Sequence, residues 1–366
     1  MNYFTTLFLT ERKNPKFLVF FFMIISLTLI SFVATLTAKN DFLFAEIRAD
    51  RGGVKNTLEN FQQDTSTSTN DKILVKNLNQ QTGLLARMEQ SLLFEDNDLF
   101  NQAAVEMTAV RAEFFRLPQA KKYATNFPTP QQNALKQVFY QNIKATRQPL
   151  YAKNDRVILA VLVFFNFFSF GWFLLNSLLN CNIWLSDQLH LRTVQGFPIS
   201  KTQRISTKLI FYLTVSLIGL LIPVIIAGAT SLFVPSGSLT YPVAIYLNTY
   251  KTVPFWQYTG FLLGLSFLIA LFSAIFSYSL NLLTKNLYLS IFLSFAAFFI
   301  PYFLGDTTKM LWFLPFNYLN PVAVLEGSHL ATSQLGNYWS RIAILFLWTG
   351  ILLGLISWKW PRRMKK

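Results

Sequence analysis

Six apolar stretches, each about as long as a bilayer is thick, constrain this chain more than any other feature. A helix rises 1.5 Å per residue, so roughly 20 apolar residues cross a hydrocarbon core of about 30 Å. The stretches are Phe17–Thr37, Val157 to about Asn180, about Leu209 to Phe233, Trp256–Leu283, Leu287–Leu304 and Ile342–Trp358. The interval 209–250 holds no charged residue, and Lys285-Asn286 is the only polar turn between the fourth and fifth stretches. Composition agrees. Only 13% of the residues are charged and 38 are Phe, where a soluble chain carries about 25% charged residues. A larger core cannot explain the deficit, because a soluble surface would still have to be covered, so the excess faces lipid. The first stretch is longer than a signal-peptide core and lacks a small-x-small cleavage site, so it reads as an uncleaved signal anchor. The expected fold class is an all-α integral membrane protein with six transmembrane helices.

Positive charge sets the expected orientation. With the N-terminus inside, segments 1–16, about 181–208, 284–286 and 359–366 are cytosolic and carry 3, 4, 1 and 5 Lys+Arg, a total of 13. The short outer loops carry three, Lys251, Lys309 and Arg341. Both termini are therefore expected inside, with residues 38–156 as one extracellular domain. The formal charge of +15 is then mostly a topology signal and not a nucleic-acid footprint. Trp256 and Trp339 at outer ends, and Trp358 and Trp360 at the inner end, suit interfacial belts.

The long outer segment reads as a small helical bundle. Leu74, Leu78, Leu85, Met88 and Leu92 recur at helical steps, as do Ala103, Met107, Val110, Phe114 and Leu117. Glu95-Asp96-Asn97-Asp98 supplies a break and an N-cap, and Pro128 and Pro130 precede a helix through Leu135, Phe139 and Ile143. Gly52-Gly53 and Thr65–Asn70 read as turns. Asp96-Asn97-Asp98 is no calcium loop, because the Gly and distal Glu of that pattern do not follow.

The stretches contain no Asp, Glu, Lys, Arg or His. Charges kept within spans usually mark ion paths or proton relays, so their lack weighs against an ion-coupled carrier. His190 and His329 fall in loops on opposite expected sides, and Cys181 is the single cysteine. A His-based metal or catalytic site and a disulfide framework are both excluded on that reading, and no catalytic spacing appears. No G-x-x-x-x-G-K-[ST] occurs, so this chain does not cradle a nucleotide through a P-loop. Asn166, Asn176, Ser273, Ser277 and Asn281 are polar groups that bond between helices or line a wet path; interhelical packing is the plainer reading. The Phe164, Phe165, Phe167, Phe168 cluster would suit an amphipathic or apolar substrate as well as lipid, and lipid contact is the plainer reading. Gly260 and Gly264, and Gly350 and Gly354, form G-x-x-x-G pairs that permit close helix packing within the chain or between protomers.

The loop between the second and third stretches carries the most information. Asp187, Leu189, Leu191, Arg192, Phe197, Pro198, Ile199, Ser200, Lys201 and Arg204 describe a short helix, a Gly-x-Pro break and a basic helix that enters the membrane. Headgroup contact explains the cations. It does not explain Leu189, Leu191, Val194, Phe197 and Ile199, which suggest docking on a protein groove. Here the chain resembles the permease subunits of ATP-binding-cassette exporters of the type-2 family. Their loop ends in Pro-(Ile/Val)-Ser-(Arg/Lys) followed by a Lys at the next span, matched by Pro198-Ile199-Ser200-Lys201 and Lys208. The six-span layout, an amphipathic segment at residues 1–10, and a Pro-broken outer stretch from Leu314 to Leu330 are similar too. The family loop often carries an early Glu, where Asp187 or Gln188 stands here, and a large outer domain occurs only in some branches.

That resemblance implies a non-enzymatic permease in the plasma membrane of a bacterial cell, binding no cofactor itself. Separate cytosolic P-loop ATPase subunits would hold the ATP and dock on the loop and on residues 1–16. A second permease protomer, identical or related, would share the path. The implied activity is export of a peptide, lipid-like or antibiotic substrate. The competing expectation is a non-transporting sensor or immunity module whose outer domain captures a ligand. A membrane enzyme with an outer-face site is a third.

Overall fold

The computed structural model describes residues 3–11, 13–38, 42–62, 69–151, 153, 155–185, 200–304, 311–327 and 338–363. The chain divides into two units, residues 1–33, 161–233 and 259–366 in one and residues 34–160 and 234–258 in the other. In chain order α1 is Tyr3–Glu11, α2 Pro15–Leu36, α3 Phe42–Gln62, α4 Thr69–Leu93, α5 Asn97–Phe114, α6 Ala120–Tyr123, α7 Pro130–Thr146 and α8 Val157–Asn180. There follow α9 (Lys201–Thr230), the strands β1 (Pro242–Tyr246) and β2 (Tyr250–Pro254), α10 (Phe255–Thr284), α11 (Leu287–Leu304), α12 (Pro321–Glu326) and α13 (Tyr338–Arg363).

Six helices, α2, α8, α9, α10, α11 and α13, are long and apolar enough to cross a membrane. Their burial pattern is the reverse of a soluble bundle. Leu18, Ile225, Phe292 and Leu347 are exposed, while Asn176, Ser273, Ser277 and Asn281 are buried. Phe167 is likewise turned outward, but Phe164, Phe165 and Phe168 are buried. Phe164 stacks on Phe168 with ring centroids 4.9 Å apart, and Phe168 sits 4.9 Å from Trp172. The expectation of a lipid-facing cluster therefore holds for one ring of four, because consecutive positions on a helix point to different sides.

The helices also run further than their apolar stretches, and the expectation of charge-free spans fails at their ends. Lys16, Arg204, Lys208 and Arg341 all lie inside spanning helices. Arg341, expected in an outer loop, is fully buried. Its Nη1 donates to the Val324 carbonyl at 2.6 Å, near the C-terminal end of α12, where Gly327 (φ 66°) caps the helix. A cation is favoured at that end by the helix dipole. In the same short helix, burial pushes the Glu326 carboxyl up to about 7. Close helix approach occurs at Gly219, where a Cβ would lie 2.9 Å from side-chain atoms of Phe20 and Ile24 on α2.

The second unit is the expected helical bundle. Leu74, Leu78, Leu85 and Met88 of α4 and Ala103, Met107, Val110 and Phe114 of α5 form one core with Phe100, Tyr123 and Tyr140. The Asp96 side chain caps α5, accepting from Leu99 N at 3.0 Å. Thr129 and Gln132 form a capping box on α7, with Pro130 in its first turn. Buried Arg111 pairs with Asp50 of α3 at 2.7 Å and donates to Gln81 of α4 at 3.2 Å.

Two expectations are corrected in this unit. Gly52 and Gly53 do not turn; both lie within α3. Gly53 is there for close approach, since a Cβ on it would stand 2.2 Å from the Asn126 carbonyl oxygen. The Thr65–Asn70 turn falls mostly outside the described residues, and Thr69 and Asn70 open α4. The unit is also not purely helical. Strands β1 and β2 pair antiparallel, Val243 opposite Val253, and join the bundle from the far side of the third apolar stretch. Tyr241, just before β1, stacks on Tyr151 at 4.5 Å and meets Phe139 of α7 at 5.9 Å.

Candidate functional site

The third spanning helix begins with a complete cap. Ser200 is the N-cap of α9: its hydroxyl accepts from Gln203 N at 3.2 Å, and the Gln203 side chain accepts from Ser200 N at 3.1 Å. This box fixes where the loop ends and the rigid helix starts. Below the cap, Arg204, Lys208, Tyr212 and Ser216 follow at four-residue steps and are all buried. Residues four apart share one helix face, so α9 presents a polar stripe to its neighbours.

Three other segments meet that stripe. Lys16, in the first turn of α2, donates to Tyr212 Oη at 2.6 Å and to Asn182 Oδ1 at 2.5 Å. It also lies 3.5 Å from the Glu11 carboxylate at the end of α1, which accepts from Tyr212 Oη at 3.4 Å. Lys208 donates to the Ile183 carbonyl, just past α8, at 2.8 Å. Ser216 donates to Asn176 Oδ1 on α8 at 2.6 Å. The start of α2, the end of α8 and the start of α9 are thereby gathered at one end of the spanning unit. Their alternating directions are those of successive membrane crossings.

Helix α1 is fastened to the same place by aromatic contacts. Phe4, Phe8 and Phe17 each meet Phe211 edge-on, at 6.1, 6.5 and 5.6 Å. Lys16 lies over the Tyr212 ring at 4.6 Å. Removing one partner from a buried charge costs about 3–5 kcal/mol, and a hydrogen bond to a charged group contributes about 1.5–3 kcal/mol. The knot is stiff on that scale. Helix α1 and the first residues past α8 are thereby joined to the bases of spanning helices.

The sequence-derived site is only partly in view. Asp187, Leu189, Leu191, Arg192, Phe197, Pro198 and Ile199 lie outside the described residues, as do His190 and His329. Ser200, Lys201 and Arg204 form the first turns of α9. Among the described residues, a Cβ on Gly260, Gly264, Gly350 or Gly354 would meet nothing within 4 Å, so none of them is a point of close packing there. Glu11, Lys16, Asn182 and Tyr212 enter the sequence reading only as topology charges or not at all. The four-residue run Arg204–Lys208–Tyr212–Ser216 was the available signal, since four polar residues on one face of a spanning helix need partners.

Among the described residues, no group of three His, Cys, Asp or Glu is placed to hold a metal ion. Burial raises the Cys181 thiol above its ordinary range, with Lys16 partly opposing the shift. Such a thiol is a poor nucleophile. The knot joins α1 and the turn just past α8 to the ends of spanning helices. Comparison with family models, curated proteins and solved structures finds no match to this chain.

Proposed function

We propose that this chain is the membrane-spanning permease subunit of an ATP-driven exporter of the type-2 ATP-binding-cassette family, working with a separate P-loop ATPase. The observation that carries this reading is the knot of Glu11, Lys16, Asn182, Lys208 and Tyr212. It ties α1 and the base of α9, the two segments on which the family resemblance expects an ATPase to dock, directly to spanning helices. Closure of the ATPases would push on a rigid lever and shift the bundle between inward- and outward-open states. The unoccupied faces at Gly260, Gly264, Gly350 and Gly354 suit a second permease protomer. Exported peptides, lipid-like molecules or antibiotics remain the substrate class.

The competing sensor or immunity reading would place its ligand on the helical bundle, where one cavity lies beside Arg111 and Tyr140.

Purification of the full chain in mild detergent tests the proposal. A P-loop ATPase should co-purify with wild-type protein and be lost from Leu191→Asp, Phe197→Asp and Ile199→Asp combined. Wild-type protein that retains no ATPase would sink the transporter reading.

A further inference from the structure

Helices α8 and α10 are joined by a polar seam. Trp172 Nε1 donates to the Ser266 carbonyl at 2.7 Å, and the hydroxyls of Ser177 and Ser273 are 3.2 Å apart. Trp184 packs on Tyr278 with centroids 5.6 Å apart. Partner positions advance together along both helices, so the two run parallel and the seam follows their length. Ser266, Ser273, Ser277 and Asn281 lie on one face of α10, at steps of seven, four and four.

Several polar atoms in this seam have no hydrogen-bond partner among the described residues. They are Ser266 Oγ, Ser277 Oγ, both side-chain polar atoms of Asn281, and Asn180 Oδ1 on α8. All four residues are at most 1% exposed. Serines elsewhere in the same unit bond back to their own helix. Ser216 donates to the Tyr212 carbonyl, Ser279 to Ile275 and Ser294 to Ser290, each at 2.9–3.0 Å. Ser266 and Ser277 do not, although both lie on the face of α10 that carries Ser273. In a spanning bundle there is no bulk water to satisfy such groups, and buried polar atoms are almost always paired with protein or ordered water. These five atoms therefore require a polar occupant. The seam residues named offer hydroxyl, amide and carbonyl groups, which suit an uncharged hydrogen-bonding occupant.

We infer that the α8–α10 seam is a hydrated inlet, a site for uncharged hydrogen-bonding groups filled by a file of water. It opens at the Asn180–Asn281 end, the end that carries the 186–199 loop, and reaches Ser266. Fifteen residues of helix give a depth of about 22 Å, most of a hydrocarbon core. This holds whether or not the chain is a permease.

The single native cysteine makes a clean test possible. In full-length Cys181→Ser protein in vesicles, Ser277→Cys, Ser266→Cys and Ile275→Cys are exposed to silver ion, which travels a file of water. The thiol left unmodified is counted by alkylation after denaturation. Ile275 is equally buried but lies on the opposite face of α10. A wet thiol ionises and a dry one does not, so positions 277 and 266 should react at least about 100-fold faster than 275, the equivalent of two pKa units. Reaction should proceed from the loop-bearing side, and Asn281→Leu at the mouth should slow Ser266→Cys about tenfold or more. Rates at 277 and 266 no faster than at 275, or reaction only from the opposite side, would overturn the inlet. Full alkylation of denatured protein, with unchanged size-exclusion behaviour, confirms that each variant is intact.

Discussion

Both units use buried polar side chains to tie segments together, and they differ in where polar atoms are left without a partner among the described residues: singly on Asn101, Arg111 and Asn133 in the bundle, and along one seam at Asn180, Ser266, Ser277 and Asn281 in the spanning unit. In the helical bundle, Asn77 donates to the Val110 carbonyl and Asn133 to the Thr108 carbonyl, each at 2.9 Å, and Arg111 binds both Asp50 and Gln81. Each ties one helix to another. In the spanning unit, Asn281 and Ser277 are just as buried yet make no such tie among the described residues. The difference follows from the reference state. Segments of a water-exposed domain leave full hydration when they fold, so an unpaired buried group costs about 1–3 kcal/mol. Membrane helices are already out of bulk water before they associate, which leaves room for a polar seam that water completes. Buried polarity therefore ties helices together in both units, and in the spanning unit it also leaves a row of polar atoms along one seam.

The comparison breaks most visibly at Asp50. Its carboxylate neutralises Arg111, whose side chain is 2% exposed, and also lies 3.7 Å from Lys136, itself paired with Glu46. Asp50→Leu strands a buried guanidinium. It should destabilise the helical bundle by about 3–5 kcal/mol, read by hydrogen exchange of α4 and α5 in the full chain. Replacing the pair together, Asp50→Leu with Arg111→Met, should recover much of that loss, because a hydrophobic substitute for an ion pair is often neutral or better. If the double variant is as unstable as the single one, the pair is not what holds α3 to α5.

The same contrast decides what the sequence could disclose. The α4 and α5 stripes were legible because apolar residues at three- and four-residue steps alternate with polar ones facing water. Helices α9 and α10 are apolar on every side, so the apolar pattern marks no face. The information sits in the few polar positions, Arg204, Lys208, Tyr212 and Ser216 on one helix and Ser266, Ser273, Ser277 and Asn281 on the other. The six spanning helices were legible because length and apolarity suffice. The β1–β2 hairpin was not, since two five-residue strands starting or ending in Pro resemble a linker until their bundle partner is known. The knot was half legible: its cations were counted, but only the fold brings Glu11, Asn182 and Tyr212 to Lys16.

Glycine sharpens the comparison at smaller scale. A Cβ at Gly53 would stand 2.2 Å from a backbone oxygen, and one at Gly219 would stand 2.9 Å from flexible side-chain ends. Backbone cannot move aside as a Phe ring can. Gly53→Ala should destabilise the helical bundle by about 1–3 kcal/mol through overpacking. The neighbouring Gly52→Ala, which meets nothing within 4 Å, should stabilise it by about 0.5–1 kcal/mol through helix propensity. Gly219→Ala should fall between them. Thermal unfolding of the full chain, followed by exchange in α3 and in α9, ranks all three. Equal effects at Gly53 and Gly52 would mean that α3 is not held against Asn126.

The smallest effect is expected where the two units are chemically most alike. Thr129–Gln132 and Ser200–Gln203 are the same capping box, with hydroxyl-to-amide distances of 3.2 Å in both. Removal of such a cap costs about 1 kcal/mol. Thr129→Ala should appear as about that loss in the stability of α7 and of the hairpin packed on it, and nowhere else. In Ser200→Ala the rest of α9 is held by the knot at Lys208 and Tyr212, so global stability should scarcely change. The first turn would fray instead, with faster exchange at residues 201–204, and the boundary between loop and lever would blur. If α9 is the element through which the loop acts, any ATPase retained by wild-type protein should bind Ser200→Ala normally but hydrolyse ATP with weaker dependence on the permease. Unchanged coupling in a variant whose first turn has frayed would place the lever below residue 204, in the Lys16–Lys208–Tyr212 knot itself.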